Sequence, residues 1–319
     1  RILWFLIKNI FEQMNRKIDL TVNVKAEQKG QRVDVVIAEA FKEFSRSHLQ
    51  KLIKEGAVKV DGKEIKPKLI LQGGELIEIL AKEPPKLKDK PENIDLEIIH
   101  EDQDLLVVNK ASGLVVHPGA GNASGTLVNG LLNFDSSLSY LPRAGIVHRL
   151  DKDTSGLMVI SRNEKTYLNL INQLKERTVT RKYTALVVGE PSLSGVIDKP
   201  IGRHPKVRTK QAVVNSGKEA ISRFKRVKSL RGYSLLEVLL ETGRTHQIRV
   251  HLSYLGFPIV GDKTYGARRK YVKGTSENLR NKINQFKRQA LHASSLTFIH
   301  PSTKEVLTFD SELPDDMKQ

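Results

Sequence analysis

No cysteine occurs among the 319 residues, which excludes disulfides, thiolate zinc sites, iron–sulfur clusters and cysteine nucleophiles together. Such a chain reads as cytosolic. Long apolar runs are missing as well. Arg1 to Phe11 is apolar and basic, but about 11 residues fall short of the roughly 20 needed to cross a bilayer, and no small-residue cleavage site follows. No membrane span or secretory signal is expected, and Met14 is a candidate start that would make residues 1–13 an upstream extension.

Familiar cofactor motifs are also lacking. Gly256 to Thr264 ends Gly-Asp-Lys-Thr where a phosphate-binding loop requires Gly-Lys-Thr. Gly119, Gly121 and Gly125 miss the dinucleotide spacing by one residue and follow His117-Pro118 rather than a clean strand. His246 and His251 lie five apart, off a common helix face, so they do not form a zinc-protease pair, and no Gly-x-Ser-x-Gly elbow exists. Chemistry therefore falls to carboxylate, Tyr, His or Arg side chains.

What the chain has is positive charge. It carries 53 Lys and Arg against 36 Asp and Glu, a net +17, which points to a polyanionic partner, a nucleic acid first of all. The excess is concentrated: residues 199–231 hold eleven basic residues against Glu219, and residues 263–288 hold nine against Glu277. A solvated surface of a merely soluble protein would spread it.

Length and a 39% hydrophobic content allow about two domains, each with a core. Val33, Val36, Ile37 and Ala40 mark one helix face after Arg32. A second helix begins at Ser45 as N-cap, buries Leu49, Leu52 and Ile53, and ends at Gly56. Val58 and Val60, an Asp61-Gly62 turn and Ile65 read as a tight hairpin, and Leu76–Leu80 as a further strand. Pro84, Pro85 and Pro91 make residues 81–93 a linker. Beyond it, strand-like runs at 96–99, 105–109, 157–161, 180–189 and 234–241 outnumber the helices. The clearest helix runs from Asn163 to about Arg177 and is expected to bury Tyr167, Leu170, Ile171 and Leu174. The overall expectation is an α+β chain: an extension (1–17), a small compact module (18–80), the linker, and a mixed, mainly antiparallel domain of catalytic size (94–319).

Two segments concentrate reactive side chains. Gly145 to Ile160, which contains His148-Arg149-Leu150-Asp151 and Thr154-Ser155-Gly156, reads as a polar turn between two apolar strands, and Asp151 could simply pair with Arg149. Glu241 to His251 follows a strand and enters a helix that Thr245 would cap and Gly256 would end. Arg244, His246 and Arg249 there need only be solvated.

With Arg32-x-Asp34, Ser45-Arg46-Ser47 and Gly56-x-Val58-x-Val60-Asp61-Gly62-Lys63, the N-terminal module resembles the alpha-L RNA-binding fold of the S-four type. That resemblance implies backbone phosphate contacts by Arg46, Lys51, Lys54 and Lys63. The catalytic portion, through His148-Arg149-Leu150-Asp151-x-x-Thr154-Ser155-Gly156, Thr180-Arg-Lys-Tyr183, Gly202-Arg203-His-Pro205, Thr242 to His251, Val260-Gly-Asp262 and Arg288 to Ala293, resembles the RluA-type pseudouridine synthases. The family pairs such a domain with an N-terminal alpha-L module.

The resemblance implies a cofactor-free and metal-free isomerase acting on uridines of large-subunit (23S) ribosomal RNA, free or in a pre-50S particle, as a cytoplasmic monomer. It implies Asp151 as the catalytic aspartate, Tyr183 as the tyrosine beside the target uracil, and Arg249 as the aspartate's ion-pair partner. Ile248 would pack on the base, Arg149 would enter the RNA stack, and His148, Arg244 and His246 would line the substrate site. The basic window adds Arg203, Lys206, Arg208 and Lys210 as RNA contacts. Rival readings are a non-catalytic RNA-binding assembly factor, which would be free to lose Asp151 or Tyr183, and a glycosylase, which would release free uracil.

Overall fold

The computed structural model describes residues 17–41, 46–82, 87, 89–119, 121–207, 209–266 and 271–318. The expected extension before Lys17, the Ser45 cap and Arg208 lie outside the described residues. Lys17, counted with the extension, opens the first strand.

Strands β1 (Lys17–Asn23), β2 (Val58–Val60), β3 (Lys63–Glu64) and β4 (Leu76–Lys82) form an antiparallel sheet in the order β1-β4-β2-β3. Asp61 and Gly62 have φ of 49° and 75°, the left-handed pair that a two-residue hairpin turn requires. Helices α1 (Val33–Ala40) and α2 (Arg46–Lys54) cover this sheet, and Val33, Val36, Ile37, Leu49, Leu52 and Ile53 close a core with Val58, Ile77 and Ile79. Each of these buried side chains contributes about 1.5–3 kcal/mol.

The segment expected as a linker is tied down in its second half. Leu87 N donates to Ser139 O, Glu92 N to Asn129 O, and Asn129 Nδ2 to Lys90 O. Asn129 lies on α3 (Leu127–Phe134).

The larger sheet has nine strands. These are β5 (Glu97–Glu101), β6 (Leu105–Lys110), β7 (Ser155–Ser161), β8 (Thr180–Val188), β9 (Ser194–Asp198), β12 (Ile221–Ser229), β13 (Tyr233–Leu240), β14 (Leu291–Ile299) and β15 (Val306–Asp310). Their order is β5-β6-β7-β14-β8-β13-β12-β9, with β15 on β14, and every pairing is antiparallel except β7 with β14. A small hairpin, β10 (Ile201–Arg203) and β11 (Gln211–Val213), stands apart. The parallel junction pairs Gly156 with Ala293, and a Cβ on Gly156 (φ 117°) would stand 2.3 Å from Ala293 O, so the two backbones meet there only because residue 156 is glycine.

Helix α4 (Glu164–Lys175) is capped by the Asn163 side chain, which accepts from Thr166 N. Its buried face is Thr166, Leu170 and Gln173; Ile171 is exposed, against expectation, and Tyr167 and Leu174 are half-buried. The reason is polar: the Gln173 amide donates to Ile299 O and accepts from Ile299 N, rotating the helix to dock on β14. Two further helices, α5 (Gln247–Tyr254) and α6 (Glu277–Gln285), follow β13, and α7 (Asp315–Lys318) ends the described chain. Among the described residues no helix is long and apolar enough to cross a membrane.

Candidate active site

A cleft of about 840 Å³ opens where the turn before β7, strand β8 and the start of α5 meet. Asp151, Tyr183 and Arg249, remote in sequence, all line it.

The segment leading to Asp151 is not the apolar strand expected. Ile146 alone pairs, in a single bridge with Ile160, because Arg143, Ala144 and Gly145 hold φ of 56°, 53° and 78°. Left-handed backbone costs a non-glycine residue about 1–2 kcal/mol, so packing must hold this turn in place. Several bonds fix the Asp151 loop beyond it. Thr154 N donates to Asp151 O, Gln289 Nε2 donates to Thr154 Oγ1 at 3.0 Å, and Ser155 Oγ meets His292 Nδ1 at 2.9 Å. Beneath the loop, buried Lys110 donates from Nζ to the carbonyls of Ala111, Leu114 and Lys152. Burial pulls its pKa down to about 7.

Asp151 does not pair with its near neighbour Arg149, which is exposed at the cleft. Its Oδ2 accepts from Arg249 Nη1 at 2.9 Å. Arg249 in turn clamps Asp262, with Nε to Oδ2 at 2.8 Å and Nη2 to Oδ1 at 3.0 Å. Asp262 also accepts from the backbone N–H groups of Thr264 and Tyr265. Burial pushes the Asp262 carboxyl up, but Arg249 and these two amides outweigh it and hold it below the usual carboxylate range. Burial likewise works against the Arg249 charge, and its two carboxylate partners reverse that. The guanidinium also lies 5.1 Å from the Tyr265 ring centroid.

Helix α5 starts without the Thr245 cap that the sequence suggests. The residue before it is His246, left-handed at φ 59° and making no side-chain cap bond. Gln247 ties the turn before the helix to β12: its Oε1 accepts from Arg244 N and Thr242 Oγ1, and its Nε2 donates to Ile221 O and Ser222 Oγ. His246 is thereby turned toward the cleft, with Nδ1 2.8 Å from Tyr265 Oη and Nε2 3.9 Å from Asp151 Oδ1. Burial lowers its pKa against the pull of Asp151.

Tyr183 is 5% exposed, and burial raises its hydroxyl pKa, with Arg181 opposing. Ile248 is buried in the cleft wall, while Arg244 donates from Nε to Glu219 O and stays exposed. His148 lines the cleft too, yet its Nε2 accepts from Val159 N at 3.1 Å. That bond needs the neutral ring, and burial, aided by Arg181, pushes its pKa down to about 3.

The residues expected at RNA phosphates divide. Arg46 donates to buried Asp34, alongside Arg32, and Lys51 pairs with Glu164 of α4 at 3.0 Å. Lys54, Lys63, Arg203 and Lys206 are exposed, and Lys210 donates from Nζ to Thr264 O. This last bond and that of Gln211 N to Tyr265 Oη join the two basic windows beside His246.

Sequence reasoning did not assign Asp262, Gln247, Tyr265 or Lys110. Asp262 stands in the Gly-Asp pair of a segment that already carried the resemblance, and that pair was its one available signal.

The family described as RNA pseudouridylate synthase matches residues 104–254, and the S4 domain matches residues 31–77. Ribosomal large subunit pseudouridine synthase D of Vibrio vulnificus (strain CMCP6) is 46% identical over 305 residues, covering 95% of this chain and 94% of its own. The protein of the same description from Escherichia coli (strain K12) is 42% identical over 305 residues with the same coverage. Among solved structures, human RNA Pseudouridylate Synthase Domain Containing 4 is similar at a TM-score of 0.55 and 27% identity, over 70% of this chain and 90% of that one.

Proposed function

The chain belongs to the RNA pseudouridylate synthase family and is a pseudouridine synthase, and on that premise we propose that Asp151, with Arg249 and Tyr183, isomerises uridines of large-subunit ribosomal RNA. One observation carries the assignment: Arg249 holds Asp151 through Oδ2 while Oδ1 makes no hydrogen bond among the described residues and sits in a cleft that Tyr183 walls.

The reaction breaks the N1–C1′ bond, turns the uracil, joins C5 to C1′, releases the C5 proton and protonates the freed N1, so substrate and product are isomers. The carboxylate can attack C1′ or remove the C2′ proton, and Oδ1 is available for either. Tyr183 offers a face for the uracil and a hydroxyl near it. Unstacking the base costs a few kcal/mol, which that face and Arg149 entering the vacated stack offset.

The substrate assignment is supported by the relatives' description, by the S4 match and by the two basic windows. In this reading residues 18–80 are the RNA-binding arm, residues 94–319 the catalytic body, and Lys54, Lys63, Arg203 and Lys206 hold phosphates. The protein acts as a monomer in the cytoplasm, on free RNA or a pre-50S particle.

The test is incubation of the protein with unmodified large-subunit transcript, followed by pseudouridine mapping and assay of free base. New pseudouridines without uracil are expected. Free uracil would make the enzyme a glycosylase.

A further inference from the structure

Arg181 is 8% exposed, lines the cleft, and has no ion-pair partner among the described residues. Its Nε has no hydrogen-bond acceptor, and its one hydrogen bond among the described residues is a long one, Nη2 to Leu240 O at 3.4 Å. Gly243 leaves room for Nη1, since a Cβ there would come within 2.7 Å of it. A buried cation without a counter-ion is costly, and folding gives no return for it.

Arg181 and Tyr183 are both buried on one face of β8, two residues apart, about 7 Å along a strand. That span is comparable to the distance between a base and the phosphate of the same nucleotide. The cleft is also larger than one base needs, and it runs on past Arg181 to Lys175 and Arg177. A guanidinium fork matches a phosphate in charge and shape better than it matches a neutral uracil oxygen.

Resting on the function proposed above, we infer that Arg181 is a substrate-binding residue that takes a backbone phosphate flanking the target uridine, the RNA supplying the counter-ion that the protein withholds. Its role is to seat the nucleotide so that the base lies on Tyr183 and the sugar faces Asp151.

The experiment uses the full chain, its Arg181→Met and Arg181→Lys variants, and a synthetic RNA spanning a uridine that the parent modifies, with each neighbouring linkage replaced in turn by a neutral methylphosphonate. With natural RNA, Arg181→Met is expected to bind about 10- to 100-fold more weakly, and Arg181→Lys to recover part of the loss. Thermal unfolding of Arg181→Met should occur at the parent temperature or above it, since an unpaired buried charge is gone. At one linkage the methylphosphonate should weaken the parent as much as Arg181→Met does, and weaken Arg181→Met no further. Additive losses at every linkage, or a parent indifferent to all of them, would overturn the assignment. Pseudouridine formation by the parent is followed in the same assay. Failure of the proposed function shows as no product, and failure of the phosphate assignment as product with additive losses.

Discussion

Asp262 clamps Arg249 through two parallel hydrogen bonds of 2.8 and 3.0 Å, which leaves Nη1 to reach Asp151. The position of the reactive carboxylate therefore depends on a second carboxylate that the cleft does not expose. Asp262→Asn keeps the shape and removes the charge. Breaking a buried pair costs about 3–5 kcal/mol. Urea unfolding should show a loss of that order, and kcat should fall at least tenfold with a smaller change in KM.

Asp151→Asn deletes the charge that both routes require. Turnover on a uridine-containing transcript should fall to background while RNA affinity stays within about threefold of the parent, because Asn also accepts a hydrogen bond from Arg249. Turnover above a few per cent of the parent would remove Asp151 from the chemistry.

Tyr183→Phe keeps the stacking face and loses the hydroxyl. If that hydroxyl takes the C5 proton, the variant binds RNA normally but releases no tritium from C5-labelled uridine. Near-normal release would confine Tyr183 to stacking.

His148 stays neutral in the fold down to about pH 3, whereas in the unfolded chain it protonates near 6.5. Between those values the unfolded chain binds the extra proton. Stability therefore falls as pH drops from 6.5 toward 3, by up to about 1.4 kcal/mol per pH unit from this group. Urea midpoints of the parent and His148→Gln between pH 4.5 and 7 test this: the variant should be less stable at pH 7 and show the shallower acid limb.

Reversing exposed Arg203 and Lys206 to Glu should weaken RNA binding and lower the slope of log K against log salt by about 0.7–0.9 for each lost phosphate contact. Lys51→Glu should do less to that slope, since Lys51 already spends its charge on Glu164. Equal slopes for the parent and the Arg203/Lys206 variant would mark that window as a solvated face.

The sequence by itself determined the local elements and the identity of the chemistry. Helical spacing in Val33–Ala40, the Asp61-Gly62 turn, the glycine stop at Gly56 and the strand-like run from Thr180 to Gly189 act over a few residues, so they are written where they operate. The motifs around Asp151 and Arg249 could be read for the same reason, as short runs of fixed residue types. Reading failed where a distant partner overrode the local preference. Gln247 tied the start of α5 to Ile221 and Ser222, with left-handed His246 and not Thr245 before the helix, and Gln173 rotated α4 away from burying Ile171 because β14 offered its backbone. Only the tertiary structure decided that Asp151 pairs with Arg249 and not Arg149, that Asp262 stands behind them, and that Arg181 is buried without a counter-charge among the described residues. Whether a charge is paired depends on the distance and burial of groups as far as 98 positions away for Asp151 and 113 for Lys51, and spacing along the chain holds no record of either.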